Sequence, residues 1–250
     1  MSKHAVRRAF DRAAVSYDSA ATLQRRVCEL LLAELPDTPP TAILDAGCGT
    51  GYALGLLAAR WPNSQIVAAD FAPSMVTTAG GGICADIEAL PFADASFDLY
   101  WSSLSFQWCD TRRAVTEAAR VLTPGGHLAV SSLAPGTLAE LDIAFAGTDG
   151  HRHVLRFPPA DALAVACADA GLQAVQLERR TLRFHHDTLA TLLRELKALG
   201  ANQVGAGRRP GLMGRRTWRT IEERYESLRE LAGLPTTFEV ILCSAIKPIS

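Results

Sequence analysis

At 250 residues, 48% hydrophobic and 20% charged, the chain is long and apolar enough for one large domain with an ample core. No run reaches the ~18 apolar residues of a membrane span and no signal peptide is read, so a cytoplasmic protein with no membrane partner is expected. Net charge is −1, but residues 1–150 hold 10 Lys and Arg against 16 Asp and Glu, and residues 151–250 hold 15 against 10, so the second half presents either a solvated basic face or a surface for an acidic partner.

Two helices open the chain, roughly 4–17 and 21–34. In the first, Val6, Phe10, Ala13 and Tyr17 recur at helical spacing with Asp11 and Asp18 between them. That pattern argues for a retained amphipathic helix rather than a basic transit peptide built on Lys3, Arg7, Arg8 and Arg12. Leu23, Val27, Leu30 and Leu31 line one face of the second helix, and Pro36 and Pro39-Pro40 end it. Thr41-Ala-Ile-Leu-Asp-Ala-Gly-Cys-Gly-Thr-Gly51 is then a short apolar strand ending in Asp45 and a turn with Gly47, Gly49 and Gly51 at alternate positions. Glycine suits such a turn because it reaches positive φ and lets backbone lie against a ligand. The spacing is neither the dinucleotide fingerprint nor a Walker loop.

Ser64–Ala69 reads as the second strand, with Asp70 at its end. There a carboxylate can accept two hydrogen bonds from a ribose diol. Thr77-Thr-Ala-Gly-Gly-Gly82 predicts a short third helix running into a loop, since each Gly costs about 1 kcal/mol in a helix interior. Ile83–Ala85 precedes Asp86-Ile87. Leu99–Ser103 is the fourth strand, and Val121-Leu-Thr-Pro-Gly-Gly126 turns into a fifth at Leu128–Ser132. A less regular stretch, 133–157, follows. Pro158-Pro159 starts a helix through Ala170 that Gly171 ends, and 173–184 is strand six. In 187–234, Leu189, Leu192, Leu193, Leu196 and Leu199 mark one amphipathic helix. Trp218, Ile221, Tyr225 and Leu228 mark another, with a Gly/Arg-rich link at 200–216. Phe238–Ile246 is the last strand. Alternating strands and helices predict a parallel sheet with crossover helices.

Cys28, Cys48, Cys84, Cys109, Cys167 and Cys243 show no Cys-x-x-Cys or zinc-type spacing, so reduced thiols are expected. His151-x-His153 and His185-His186 lack a third ligand, so no metal is expected. Arg208, Arg209, Arg215, Arg216 and Arg219 form the densest basic cluster, with no carboxylate among residues 208–219. It is either a solvated face or a docking site for an acidic partner.

The Asp45–Gly51 segment, with Asp70, Asp86-Ile87 and the fourth and fifth strands in order, resembles the first motifs of class I S-adenosylmethionine-dependent methyltransferases. The resemblance implies an α/β, Rossmann-like seven-stranded sheet. Its last strand lies antiparallel between the fifth and sixth, and a helical lid covers the strands' carboxyl ends. The implied bounds are lid helices in 1–35, a core of 41–185 and 236–248, and a helical insertion over 187–234, all in one domain. It also implies S-adenosylmethionine as cofactor, held by Asp45, Gly47, Gly49, Gly51, Asp70, Asp86, Ile87 and Ser102. Where amine- and nucleobase-methylating relatives carry an Asn/Asp-Pro-Pro-aromatic motif, this chain has Ser102-Ser-Leu-Ser-Phe-Gln-Trp108, so no nucleic-acid substrate is expected.

The flanks resemble a narrower family, the malonyl-(acyl-carrier protein) O-methyltransferases of biotin synthesis. Arg8–Arg25, Asp86-Ile-Glu-Ala-Leu-Pro91, Trp101–Cys109, Arg156-Phe-Pro, Leu196–Ala201 and Leu234-Pro-Thr-Thr-Phe-Glu-Val240 carry the likeness. It implies methylation of the free carboxylate of malonyl-carrier protein or malonyl-coenzyme A; the sequence leaves the oligomeric state open, with a monomer expected. A carboxylate is ionised at neutral pH and needs orientation without a general base, which agrees with the absence of a catalytic dyad. Tyr17 and Arg156 are the expected catalytic residues, the first over the cofactor, the second as a planar donor fork for the malonyl group. Asp18, Gln107 and Trp108 are placed in the acceptor pocket, and Arg208, Arg209, Arg215 and Arg216 at the carrier-protein surface. Two readings stand beside this one. The first is a class I methyltransferase for another small molecule, such as a quinone or a trans-aconitate-like acid. The second is a non-catalytic S-adenosylmethionine-binding protein.

Overall fold

Residues 2–201, 211 and 213–249 are described by the computed structural model. The N-terminal segment forms three helices, α1 (Lys3–Ala13), α2 (Tyr17–Ala20) and α3 (Thr22–Ala33). The break at 14–16, inside the expected first helix, has a side-chain cause. The Ser16 hydroxyl donates to the carbonyls of Ala13 (3.2 Å) and Ala198 (3.1 Å), an alternative to continuing the helix. The second bond reaches across 182 residues, so periodicity could not reveal it.

The core alternates β1 (Ala42–Ala46), α4 (Tyr52–Arg60), β2 (Gln65–Asp70), α5 (Pro73–Thr78), β3 (Ile83–Cys84) and β4 (Phe97–Ser102). A 3-10 turn over Phe106–Trp108 leads to α6 (Thr111–Val121) and β5 (Leu122–Leu133). Then come α7 (Ala139–Phe145), α8 (Asp161–Asp169), β6 (Gln173–His186), α9 (Leu189–Ala198), α10 (Arg215–Glu226) and β7 (Leu234–Ile246). The strands form one sheet in the order β3-β2-β1-β4-β5-β7-β6. All neighbours are parallel except at β7, which pairs antiparallel with both β5 and β6. Successive residues of the central strands alternate between two buried layers, as strand geometry requires. Leu44, Tyr100 and Leu128 face one layer with α6 and α8, and Ile43, Trp101 and Ala129 face the other with α3 and α4. Burial on both faces explains why these strands read as continuous apolar runs.

Other bounds differ from expectation, among them the start of β5 at Leu122 rather than Leu128. β7 starts at Leu234, four residues early, and β6 runs on to His186, the two pairing from Gln173↔Ile246 to His186↔Leu234. Pro235 masked this extension, because proline lacks the N–H a ladder needs. The stretch 133–157 holds a helix, α7. With α9 and α10 it builds a separate apolar cluster of Leu141, Phe145, Leu189, Leu192, Ile221 and Tyr225. Among the described residues no helix is long and apolar enough to cross a membrane.

Candidate active site

The carboxyl ends of β1, β2 and β4 meet under α1, where open α/β sheets bind ligands. The glycine turn leaves β1 and folds back on β2, with the N–H groups of Gly47 (2.7 Å) and Cys48 (3.0 Å) donating to the Ala69 carbonyl. Gly47 has φ +84°, and a Cβ there would stand 2.1 Å from Ser105 Oγ, so no side chain fits. The Gly49 N–H donates to Asp70 Oδ2 (3.0 Å), and the Ala72 N–H to Oδ1 (2.8 Å). Burial raises the Asp70 carboxyl, and those backbone bonds work against the rise. Behind the turn Asp45 is wholly buried, its Oδ2 without a partner among the described residues. Burial and the neighbouring Asp70 push its carboxyl up to about 8.

A cavity of about 100 Å³ opens above this floor. Gly47, Gly49, Asp70, Asp86 and Ile87 line it from below, and Lys3, Val6, Phe10 and Tyr17 from the N-terminal helices. Lys3 Nζ bridges Asp86 (2.6 Å) and Glu88 (2.8 Å), tying the start of α1 to the segment after β3. Burial pulls the Lys3 ammonium down, but its bonds and charge contacts with the two carboxylates outweigh that and hold it raised. The Ser74 N–H donates to Asp11 (3.1 Å), fixing α1 to α5 as well. A second cavity, of about 280 Å³, adjoins the first; Phe10, Tyr17, Leu104 and Trp108 line both. It runs beneath α9 past Gln24, Gln107, Phe157, Phe184 and His186. Phe10 meets Trp108 edge to face at 5.4 Å. The Tyr17 ring rests on the glycine turn, and burial, then the charge of Asp70, pushes its hydroxyl far above its ordinary pKa, so it stays a proton donor.

Several expected site residues stand elsewhere. Ser102 is fully buried, its hydroxyl donating to the Ala46 carbonyl (2.6 Å), so it braces the turn from beneath while Ser103 and Ser105 line the cavity. Gly51 (φ +90°) is the left-handed residue that starts α4, packed on Ala79 outside both cavities. Asp18 is exposed and accepts from Thr50 Oγ1 (2.6 Å), linking α2 to the glycine turn. Gln107 does line the second cavity, but its Nε2 is committed to the Leu104 carbonyl (2.6 Å). Arg156 is exposed and lines a different hollow, among Asp142, His151 and His153, while its neighbours Leu155 and Phe157 line both that hollow and the second cavity. Arg215 and Arg216 are exposed on the first turn of α10 and line neither cavity. Arg208 and Arg209 lie outside the described residues. Sequence reasoning missed Lys3, Phe71, Met75 and Leu104. The apolar stripe of α1 was the available signal, but it did not say what the stripe covers.

The reversed last strand, the glycine turn and the cavity above Asp70 define a class I methyltransferase fold. The Methyltransferase domain family matches residues 44–130. A putative methyltransferase of Haloferax volcanii, solved with a methyltransferase activator, has this fold (TM-score 0.60, 21% identity, 96% of this chain and 97% of that one). The malonyl-(acyl-carrier protein) O-methyltransferase of Dechloromonas aromatica (strain RCB) is 47% identical over 98% of this chain and 95% of its own length. That of Herminiimonas arsenicoxydans is 42% identical over 98% and 96%. The chain belongs to the malonyl-(acyl-carrier protein) O-methyltransferase family.

Proposed function

We propose that the chain transfers a methyl group from S-adenosylmethionine to the free carboxylate of a malonyl thioester carried by acyl-carrier protein. The observation that carries this reading is the pair of cavities meeting at Tyr17 and Trp108, in a chain related to these enzymes over nearly its whole length. The floor of the first cavity fits the cofactor's chemistry. Asp70 keeps lone pairs free for a ribose diol, and Ile87 offers an apolar face for adenine. When bound, S-adenosylmethionine supplies an electrophilic methyl group on a sulfonium.

The acceptor side needs little chemistry. A carboxylate of pKa ~4 is ionised at pH 7, so orientation and exclusion of water suffice. Phe10, Leu104 and Trp108 exclude water where the cavities join, and the Tyr17 hydroxyl, which keeps its proton, orients the carboxylate. Arg156 lines a separate hollow and is left out of this proposal. The test is a panel of acceptors with methyl-labelled cofactor. Label should enter a malonyl thioester and not trans-aconitate or a quinol, and label in either of those instead would replace this reading.

A further inference from the structure

His151-Arg-His-Val-Leu-Arg-Phe157 places two arginines and two histidines within seven residues, and the site above uses none of the four. All four line a hollow of about 690 Å³ beside α7. Thr137, Leu155 and Phe157 line both this hollow and the second cavity, whereas the hollow shares no residue with the first. The three spaces therefore follow one another, from the first cavity through the largely apolar second one to the hollow. Charge in the hollow is unevenly committed. Asp149 is engaged by the His153 ring (2.9 Å) and the His151 N–H (2.9 Å), and Asp142 is exposed on α7. Arg152 and Arg156 have no carboxylate partner among the described residues. Arg224 adds a third guanidinium at the Ala146 wall, donating to that carbonyl (2.6 Å). The uncommitted donors are thus guanidinium N–H groups, whose planar fork matches a phosphate.

A carrier-protein or coenzyme A thioester holds its acyl group on a long neutral arm whose far end is a phosphate ester. The acyl end must reach Tyr17 while the phosphate stays at the surface, and the three spaces trace that path. We propose that the arm lies along the second cavity and that Arg152 and Arg156 hold its phosphate in the hollow. This rests on the malonyl-thioester reading above. The two arginines position the acceptor by its far end and share no wall with the first cavity. Their contact is with the arm itself, so it operates without any carrier protein.

The test compares kcat/KM for two small substrates, the malonyl thioesters of phosphopantetheine and of pantetheine, which differ by the phosphate alone. The protein should prefer the first by about 3- to 10-fold at low salt, the worth of two charged contacts at a partly exposed site. The double substitution Arg152→Gln with Arg156→Gln should abolish the preference, and Arg152→Glu with Arg156→Glu should reverse it. The ratio is internal to each preparation, so a fall in folded protein cancels. A wild type without the preference, or either double variant that keeps it, would overturn the assignment. Turnover of malonyl-carrier protein with neither small thioester accepted would also overturn it, since an arm held by its own phosphate must bind without its carrier. In all those outcomes the malonyl reading survives. If malonyl-carrier protein itself goes unmethylated, that reading fails and takes this inference with it.

Discussion

Asp45 and Asp70 differ in what surrounds them, and the difference sets a pH dependence. Asp70 has two backbone donors, whereas Asp45 Oδ2 has none and its carboxyl is pushed from an ordinary 3.8 up to about 8. A group raised on folding takes up a proton. Its contribution to stability is full below about 3.8 and is lost as pH rises through about 8. Ligand-free Asp45→Asn should therefore gain stability over the wild type progressively from about pH 4 to about pH 8, read by denaturant unfolding. A difference that stays constant over that range contradicts the burial argument. Asp70 was legible because it ends an apolar strand at the edge where ligands bind. Ser102, the last residue of β4, turns its hydroxyl to Ala46, and Ser103 and Ser105 just beyond the strand line the cavity. Arg156 is exposed on a separate hollow, and Leu155 and Phe157 beside it reach the second cavity where Arg156 does not. Motif spacing finds the segment, and the neighbouring strand decides which side chain points where.

At the scale of elements, the sheet was readable because buried parallel strands and glycine turns leave local signals; the reversal of β7 came only from the family resemblance. What stayed hidden were long-range bonds, such as the Ser16 hydroxyl to Ala198 that breaks the first helix. The same holds for α1. Its apolar stripe of Val6, Phe10 and Ala13 predicts burial, but not that Lys3 would clamp its first turn to Asp86 and Glu88 over the first cavity. Lys3 is partly exposed, so the clamp is a modest one, worth roughly the 0.2–1 kcal/mol of a surface pair. Lys3→Ala should speed amide hydrogen exchange across α1 and raise the cofactor dissociation rate about two- to fivefold, read by stopped flow. Unchanged exchange across α1 would mean that Phe10 and the Asp11–Ser74 bond hold the helix alone.

Over the whole molecule, charge is divided, and α10 displays the division most plainly. Arg215 and Arg216 occupy its first turn, where no acidic residue stands and the helix dipole disfavours cations. Both are exposed. Such a placement suits an acidic partner that comes and goes. Reversing both to Glu should leave stability intact, because the dipole favours the change, yet raise KM for malonyl-carrier protein with little effect on malonyl-coenzyme A. Rising salt should slow only the carrier reaction, since charges more than about 8–10 Å apart are screened near physiological ionic strength. Equal effects on both substrates would remove the docking role. The central claim, that a malonyl carboxylate becomes its methyl ester here, is tested most directly by intact-mass spectrometry of malonyl-carrier protein after incubation with this protein and S-adenosylmethionine. The account predicts a gain of one methylene on the malonyl arm, removed by mild alkali, and no gain on acetyl-carrier protein, which has no free carboxylate. An unchanged malonyl arm, under conditions where the same protein methylates another acceptor, would contradict it.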